Sequence, residues 1–237
     1  GCEYLHKRNR KTNRKAGKVN MGQKIFQIAV DGPSGAGKST IAKNVAKKLG
    51  IEYIDTGAMY RAVGLKMHRL GIPMEETQPL LTMLADTDID FSDEHIFLDG
   101  EDVSELIRTQ EISKAASDCS AFASVRRKLV DLQQKMAKSK SVIMDGRDIG
   151  TVVLKDAPYK FFLTASDEER ARRRYEELKA KGQNLSFEEV LKQLRERDYN
   201  DTTREVTPLR KADDAEEIDS TDMDIQEVVD YICGKVQ

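Results

Sequence analysis

The pattern of apolar and polar positions predicts an α/β protein. Ile25-Phe26-Gln27-Ile28-Ala29-Val30 is a nearly continuous apolar run of strand length, as expected of a strand buried on both faces. A glycine-rich interruption follows. Ile41, Ala42, Val45, Ala46 and Leu49 then recur at helical spacing, and Gly50 is placed to close that helix. Glu52-Tyr53-Ile54 predicts a second strand ending at Asp55-Thr56-Gly57. Met59, Ala62, Val63 and Met67 share one face of a second helix that Gly71 and Pro73 end. This strand–helix–strand unit calls for a parallel pair.

Residues 80 to about 110 break the alternation. Ile89-Asp90-Phe91 and His95-Ile96-Phe97-Leu98 read as short strands, Asp99-Gly100 as a tight turn and Glu101-Asp102-Val103 as a return strand. A small antiparallel sheet does not belong to a parallel core, so this segment is expected to be an insertion over the site. Val125, Leu129, Leu132 and Met136 mark a further helix. Ser141-Val142-Ile143-Met144 and Phe161-Phe162-Leu163 predict two more core strands, and Glu217-Ile218 a weaker fifth. Ser166-x-x-Glu169 and Ser186-x-x-Glu189 are capping boxes opening two helices, the first ended by Gly182. A last helix turns Ile225, Val228, Val229 and Ile232 inward.

The glycine-rich interruption is Gly32-Pro33-Ser34-Gly35-Ala36-Gly37-Lys38-Ser39, a G-x-x-x-x-G-K-[ST] phosphate-binding P-loop. Glycines let successive backbone N–H groups turn toward phosphate oxygens. Lys38 has the length to reach β- and γ-phosphates, and Ser39 can place its hydroxyl on Mg²⁺. A strand runs into the loop and a helix leaves it, so the anion sits at a helix N-terminus. Asp55-Thr56-Gly57 and Asp145-Gly146-Arg147-Asp148 also follow strands, and ligands of doubly wound sheets collect at those ends.

Composition narrows the picture. The 237 residues carry a formal net charge of −2 and 34% charged residues, so nothing global suggests nucleic acid or an acidic membrane surface. No apolar run approaches a membrane span. Cys2, Cys119 and Cys233 are scattered, which fits a reducing, cytoplasmic setting better than a disulfide scaffold. With only His6, His68 and His95, a histidine-centred site is not expected. Residues 1–22 differ from the rest: Lys7, Arg8, Arg10, Lys11, Arg14, Lys15 and Lys18 crowd a stretch with little apolar content. It is expected to be a disordered, solvated extension, with Met21 as a natural start; a nucleic-acid or membrane-surface tail is the other reading.

A P-loop implies a bound nucleoside triphosphate and leaves the chemistry open among GTPase switches, ATPase motors or transporters, and small-molecule kinases. The guanine-reading N-K-x-D and the transporter L-S-G-G-Q motifs are absent. Arg61, Arg108, Arg147, Arg197 and Arg204 recur near predicted element ends, where a second anion could sit, which favours a kinase. For any single one a solvated surface residue is the commoner reading; Arg147, in a glycine turn just past a buried strand, is the least easily dismissed. Asp145 could orient Mg²⁺ through water or be a satisfied turn residue. Arg170, Arg172, Arg173 and Arg174 form either a charged helix face paired with nearby glutamates or a lid over the transferring phosphoryl. A kinase of a small alcohol, with Asp55 or Asp148 as base, stays open, as does an RNA-associated module using the basic tail.

Three blocks together resemble the bacterial cytidylate kinases, P-loop nucleoside monophosphate kinases. They are Gly32 to Thr40, Asp55-Thr56-Gly57-Ala58-Met59-Tyr60-Arg61, and Asp145-Gly146-Arg147-Asp148-Ile149-Gly150-Thr151. Glu196-Arg197-Asp198 through Arg204, then Pro208-Leu209, is similar too, and the resemblance spans residues 24–237. It implies a three-layer α/β P-loop NTPase fold with a five-stranded parallel sheet and a nucleoside monophosphate kinase domain over 23–237. An antiparallel NMP-binding insertion at about 80–110 and a short helical lid at about 168–186 would complete it.

The resemblance also implies transfer of the γ-phosphoryl of ATP to CMP or dCMP, with Mg²⁺ and without a required general base. Gly32, Pro33, Ser34, Gly35, Ala36, Gly37, Lys38, Ser39 and Thr40 would hold ATP, and Ser39 and Asp145 the metal. Lys38 would be catalytic, with Arg170 and Arg173 as lid arginines. Thr56, Arg61, Arg108, Arg147, Asp148, Arg197, Asp201 and Arg204 would hold the acceptor. Of these, Arg61, Arg147 and Arg197 would grip its phosphate, Arg108 and Asp148 read the cytosine, and Asp201 and Arg204 read the ribose. The implied partners are small molecules only, with no nucleic acid or membrane, for a cytoplasmic monomer.

Overall fold

The computed structural model describes residues 24–236, so the expected extension at 1–22 lies outside the described residues. In chain order these residues form β1 (Gln27–Asp31), α1 (Lys38–Leu49), β2 (Glu52–Asp55), α2 (Thr56–Arg69), α3 (Gln78–Ala85), β3 (Ile89–Ser92), β4 (His95–Leu98), β5 (Glu101–Asp102), α4 (Gln110–Cys119), α5 (Ala123–Ala137), β6 (Val142–Gly146), β7 (Tyr159–Thr164), α6 (Asp167–Ala180), α7 (Phe187–Thr203), β8 (Glu216–Asp219) and α8 (Ile225–Lys235). A 3-10 turn at Leu106–Arg108 and a π-helical turn at Ile149–Val153 complete them.

Five strands make one wholly parallel sheet in the order β2-β6-β1-β7-β8. Its two faces carry separate cores, and strand periodicity sorts side chains between them. Ala29 of β1 and Val142 and Met144 of β6 point into a core built with α2, α4 and α5. Ile28, Val30 and Ile143 point into the opposite core, with α1 and α8. Helix, sheet and helix thus stack as three layers, as the resemblance implies.

The expected pairing of β1 with β2 does not occur. β6 lies between them, in register with both: Val30 and Asp55 each face Asp145. The most completely apolar strands take the centre, and β2, half-buried, goes to the edge. This order sets Asp145 level with the ends of both neighbours, beside the P-loop.

The insertion opens with α3, which the sequence reading passed over, and carries β3, β4 and β5 as an antiparallel sheet. The serines of the two capping boxes begin α6 and α7, and α7 shows both reciprocal bonds. Among the described residues no helix is long and apolar enough to cross a membrane.

Candidate active site

The P-loop joins β1 to α1, and its shape depends on glycine at two points. Gly32 has φ 149°, and a Cβ there would lie 2.0 Å from the carbonyl oxygen of Leu163. Gly37, at φ 84°, caps α1 in the left-handed region that other residues avoid. The first amides of α1 therefore open onto the loop as an anion seat. Lys38 is buried, and its Nζ donates to Pro33 O at 2.6 Å. Burial, with Arg147 nearby, pushes its pKa below the ordinary lysine range. An arriving polyphosphate would reverse that penalty.

Beside the loop, Ser39 Oγ donates to Asp145 Oδ2 at 3.0 Å, and the Tyr53 hydroxyl donates to Oδ1 at 2.9 Å. Thr56 Oγ1 donates to the Asp145 carbonyl at 2.6 Å. Burial and the charge of Asp55 push the Asp145 carboxyl above its usual range, so a cation here would be welcome. A hydroxyl and a carboxylate oxygen are the hard donors Mg²⁺ takes. No cluster of three or more His, Cys, Asp or Glu stands ready for a metal among the described residues. The pair therefore suits an ion that keeps waters and phosphate oxygens as its other ligands.

Across the cleft the sheet ends, α2 and α7 assemble a cationic cluster. Arg147 Nε donates to Asp201 Oδ2 at 2.6 Å. Arg204 donates to Thr207 O and, at 3.5 Å, to Asp201 Oδ1. Burial raises the Asp201 pKa by itself, but Arg147, Arg197 and Arg204 outweigh it and keep the carboxyl below its usual range. Arg197 is brought down to about 10 by burial and by Arg147, Arg61 and Arg174. The guanidiniums outnumber the carboxylates they face, an arrangement that attracts an anion. Arg61 pairs with Asp55 at 3.3 Å. Asp148, buried, accepts Arg126 Nη2 at 2.6 Å.

Thr56, Arg61, Arg147, Asp148, Arg197, Asp201 and Arg204 therefore come together beside the P-loop. Arg108 does not: exposed on the insertion, it bonds Ser104 O and Glu105. The expected lid pair is also not free. Arg170 is buried, and its guanidinium donates to Ala165 O, Ser34 O, Asp198 and Asp167. Arg173 is tied to Glu169 and to Ser220 beyond β8. Each arginine is held by an acidic residue within one turn of α6 and by acceptors distant in the chain: Ser34 and Asp198 for Arg170, Ser220 for Arg173.

The sequence reading missed Arg126 and Asp198. Arg126 stacks over the Tyr60 ring at 5.2 Å and donates to Ser120 O and Thr207 Oγ1 as well as to Asp148. It sits among the buried Val125, Leu129 and Gln133 of α5, and a charge on the apolar face of a helix was the available signal. Asp198 carries no such signal, since α7 has acidic residues on several faces.

A wholly parallel sheet, a P-loop at its C-terminal edge and a facing arginine cluster define a P-loop phosphotransferase. Comparison with known proteins narrows the class. The family model described as cytidylate kinase matches residues 28–237. The cytidylate kinase of Clostridium perfringens (strain ATCC 13124) is 53% identical over 214 residues, which is 90% of this chain and 99% of that protein. That of Caldanaerobacter subterraneus subsp. tengcongensis is 54% identical over 211 residues, 89% of this chain and 94% of its own. A solved structure of an uncharacterized protein from Eubacterium ventriosum shares the fold at a TM-score of 0.50 and 15% identity, covering 90% and 98% of the two chains. The chain belongs to the cytidylate kinase family.

Proposed function

We infer that this site transfers the γ-phosphoryl of ATP to CMP or dCMP, giving ADP and CDP or dCDP. The observation that carries the reading is the cationic cluster of Arg147, Arg197 and Arg204 around Asp201, placed opposite the P-loop. A nucleoside monophosphate supplies the charge that cluster lacks. Its phosphate is already ionised near neutral pH, so the nucleophile needs no general base. Asp55 and Asp148, the carboxylates an alcohol kinase would use as base, are each ion-paired with an arginine, Arg61 and Arg126, and neither stands as an unpaired base.

The residue roles follow from chemistry. Gly32 to Thr40 cradle the ATP phosphates, and Lys38 follows the charge on the transferring group. Ser39 and Asp145 would hold Mg²⁺, which would offset the negative charge of the phosphates. Arg61, Arg147 and Arg197 orient the acceptor phosphate. Cytosine presents an amino donor beside two acceptors; Asp148 suits the amine and Arg126 the acceptors. Uracil reverses the donor and would leave Asp148 facing a carbonyl. Asp201 and Arg204 border the ribose, and Thr56 supports the strand end. Arg108 joins the base only when the insertion closes, and closure excludes water that would hydrolyse ATP. Arg173 must likewise exchange Ser220 for phosphate. The chain acts as a cytoplasmic monomer on small molecules, without nucleic acid or membrane; of these, its net charge of −2 bears only on the last, giving no global attraction to nucleic acid or an anionic membrane.

A coupled ADP-release assay over CMP, dCMP, UMP, AMP and shikimate tests the reading. CMP and dCMP are expected to give the highest kcat/KM. Equal use of all five, or a preference for shikimate, overturns it.

A further inference from the structure

Asp198 lies on α7 next to Arg197 and three residues before Asp201, yet its carboxylate is committed to the donor loop. Oδ1 accepts the backbone N–H of Ser34 at 3.0 Å, and Oδ2 accepts Arg170 Nη1 at 2.6 Å. The same Nη1 donates to the Ser34 carbonyl at 2.7 Å. Both backbone polar groups of the third P-loop residue are thus held by side chains from α6 and α7. Arg170 is in turn fixed by Ala165 O and Asp167. Gly35 closes the knot: a Cβ there would lie 3.1 Å from Arg170 O and 3.2 Å from Leu194 Cδ1, one turn before Asp198. α7 cannot shift along the loop without exchanging these bonds, which are charge-assisted and largely shielded from water.

We propose that Asp198 and Arg170 form a positioning pair that couples the two nucleotide sites through the Ser34 peptide. The inference rests on the two-nucleotide reading of the cleft. An acceptor phosphate drawn to Arg197, with ribose at Asp201, fixes the turn of α7 that carries Asp198. Asp198 passes that fixation to Ser34 and so to the amides behind it. A preordered loop binds the triphosphate without a further ordering cost, and by linkage the triphosphate must favour the acceptor by the same factor. Neither residue need touch either nucleotide.

The test measures CMP affinity by calorimetry with and without the β,γ-imido analogue of ATP, in the wild type and in Asp198→Asn. The wild type is expected to bind CMP about fivefold or more tightly when the analogue is present. In Asp198→Asn that factor is expected to fall close to one, with CMP affinity in the absence of analogue changed much less. Arg170→Lys, which keeps the charge but loses the fork, is expected to reduce the factor too and carries the test if Asp198→Asn does not fold. A purely structural role would weaken both ligands and leave the factor unchanged. Wild-type coupling in both variants, or no coupling in the wild type, overturns the inference. The assay on CMP separates the two levels. A wild type that does not phosphorylate CMP sinks the kinase reading. A wild type that does, with variants that keep the coupling, sinks only this proposal.

Discussion

Arg126 Nη2 lies 2.6 Å from Asp148 Oδ2, and the two side chains are 4% and 6% exposed. Neither charge is tolerable there alone. Arg126→Met is expected to leave Asp148 buried and unpaired, at a cost of about 3 kcal/mol or more in unfolding free energy. It should also raise the KM for CMP more than that for ATP. Chemical denaturation and separate KM measurements check both. An unchanged CMP KM would remove Arg126 from the acceptor pocket.

Asp31 ends β1 and accepts the amides of Ile149 and Gly150 at 2.9 and 2.7 Å, tying the P-loop strand to the turn after Asp148. Burial pushes its carboxyl from an ordinary 3.8 to about 6, with Asp148 adding and the two amides opposing. The folded chain therefore holds this proton more tightly than the unfolded chain. The resulting stabilisation is complete below about pH 4 and is lost as pH rises through about 6, by about 3 kcal/mol in all. Asp31→Asn has no such term. Its stability relative to wild type is expected to improve between pH 4 and pH 7, as read by urea unfolding. A gap independent of pH would show that Asp31 does not titrate in this range.

Lys38→Met is expected to abolish transfer while leaving the fold intact. Lys38 is buried, and its ammonium is disfavoured before a polyphosphate arrives. The free variant should therefore melt no lower than wild type and lose the rise in Tm that ATP produces. Wild-type turnover in this variant would move the reaction away from the loop.

Chelation of divalent cations should stop the reaction, and Asp145→Asn should raise the Mg²⁺ concentration needed for half-maximal rate about tenfold or more. The Ser39 hydroxyl and the Tyr53 hydroxyl both lean on this carboxylate. An unaltered Mg²⁺ dependence in Asp145→Asn would exclude it from the metal's surroundings.

Contiguous features were legible in the sequence. The P-loop is a run of neighbours whose function depends on local backbone freedom. The buried strands declare themselves by apolar runs, and α6 and α7 by serines whose caps close within one turn. The candidate acceptor residues Thr56, Arg147 and Arg197 follow strand ends or run along one helix, so their neighbourhood could be inferred. Arg108 could not be placed this way, because its partners Ser104 and Glu105 lie on the insertion itself and not at a strand end.

By itself, then, the sequence determined the layered α/β class, the phosphate loop and the residue types a second anion would need. Only the tertiary structure decided that β6 divides β1 from β2, that Arg126 backs Asp148, and that Asp198 holds a peptide 164 positions away. The reason is physical. Hydrogen-bonded loops, caps and amphipathic faces depend on spacing along the chain. The partner of a buried charge depends on which surfaces the folded sheet brings opposite one another.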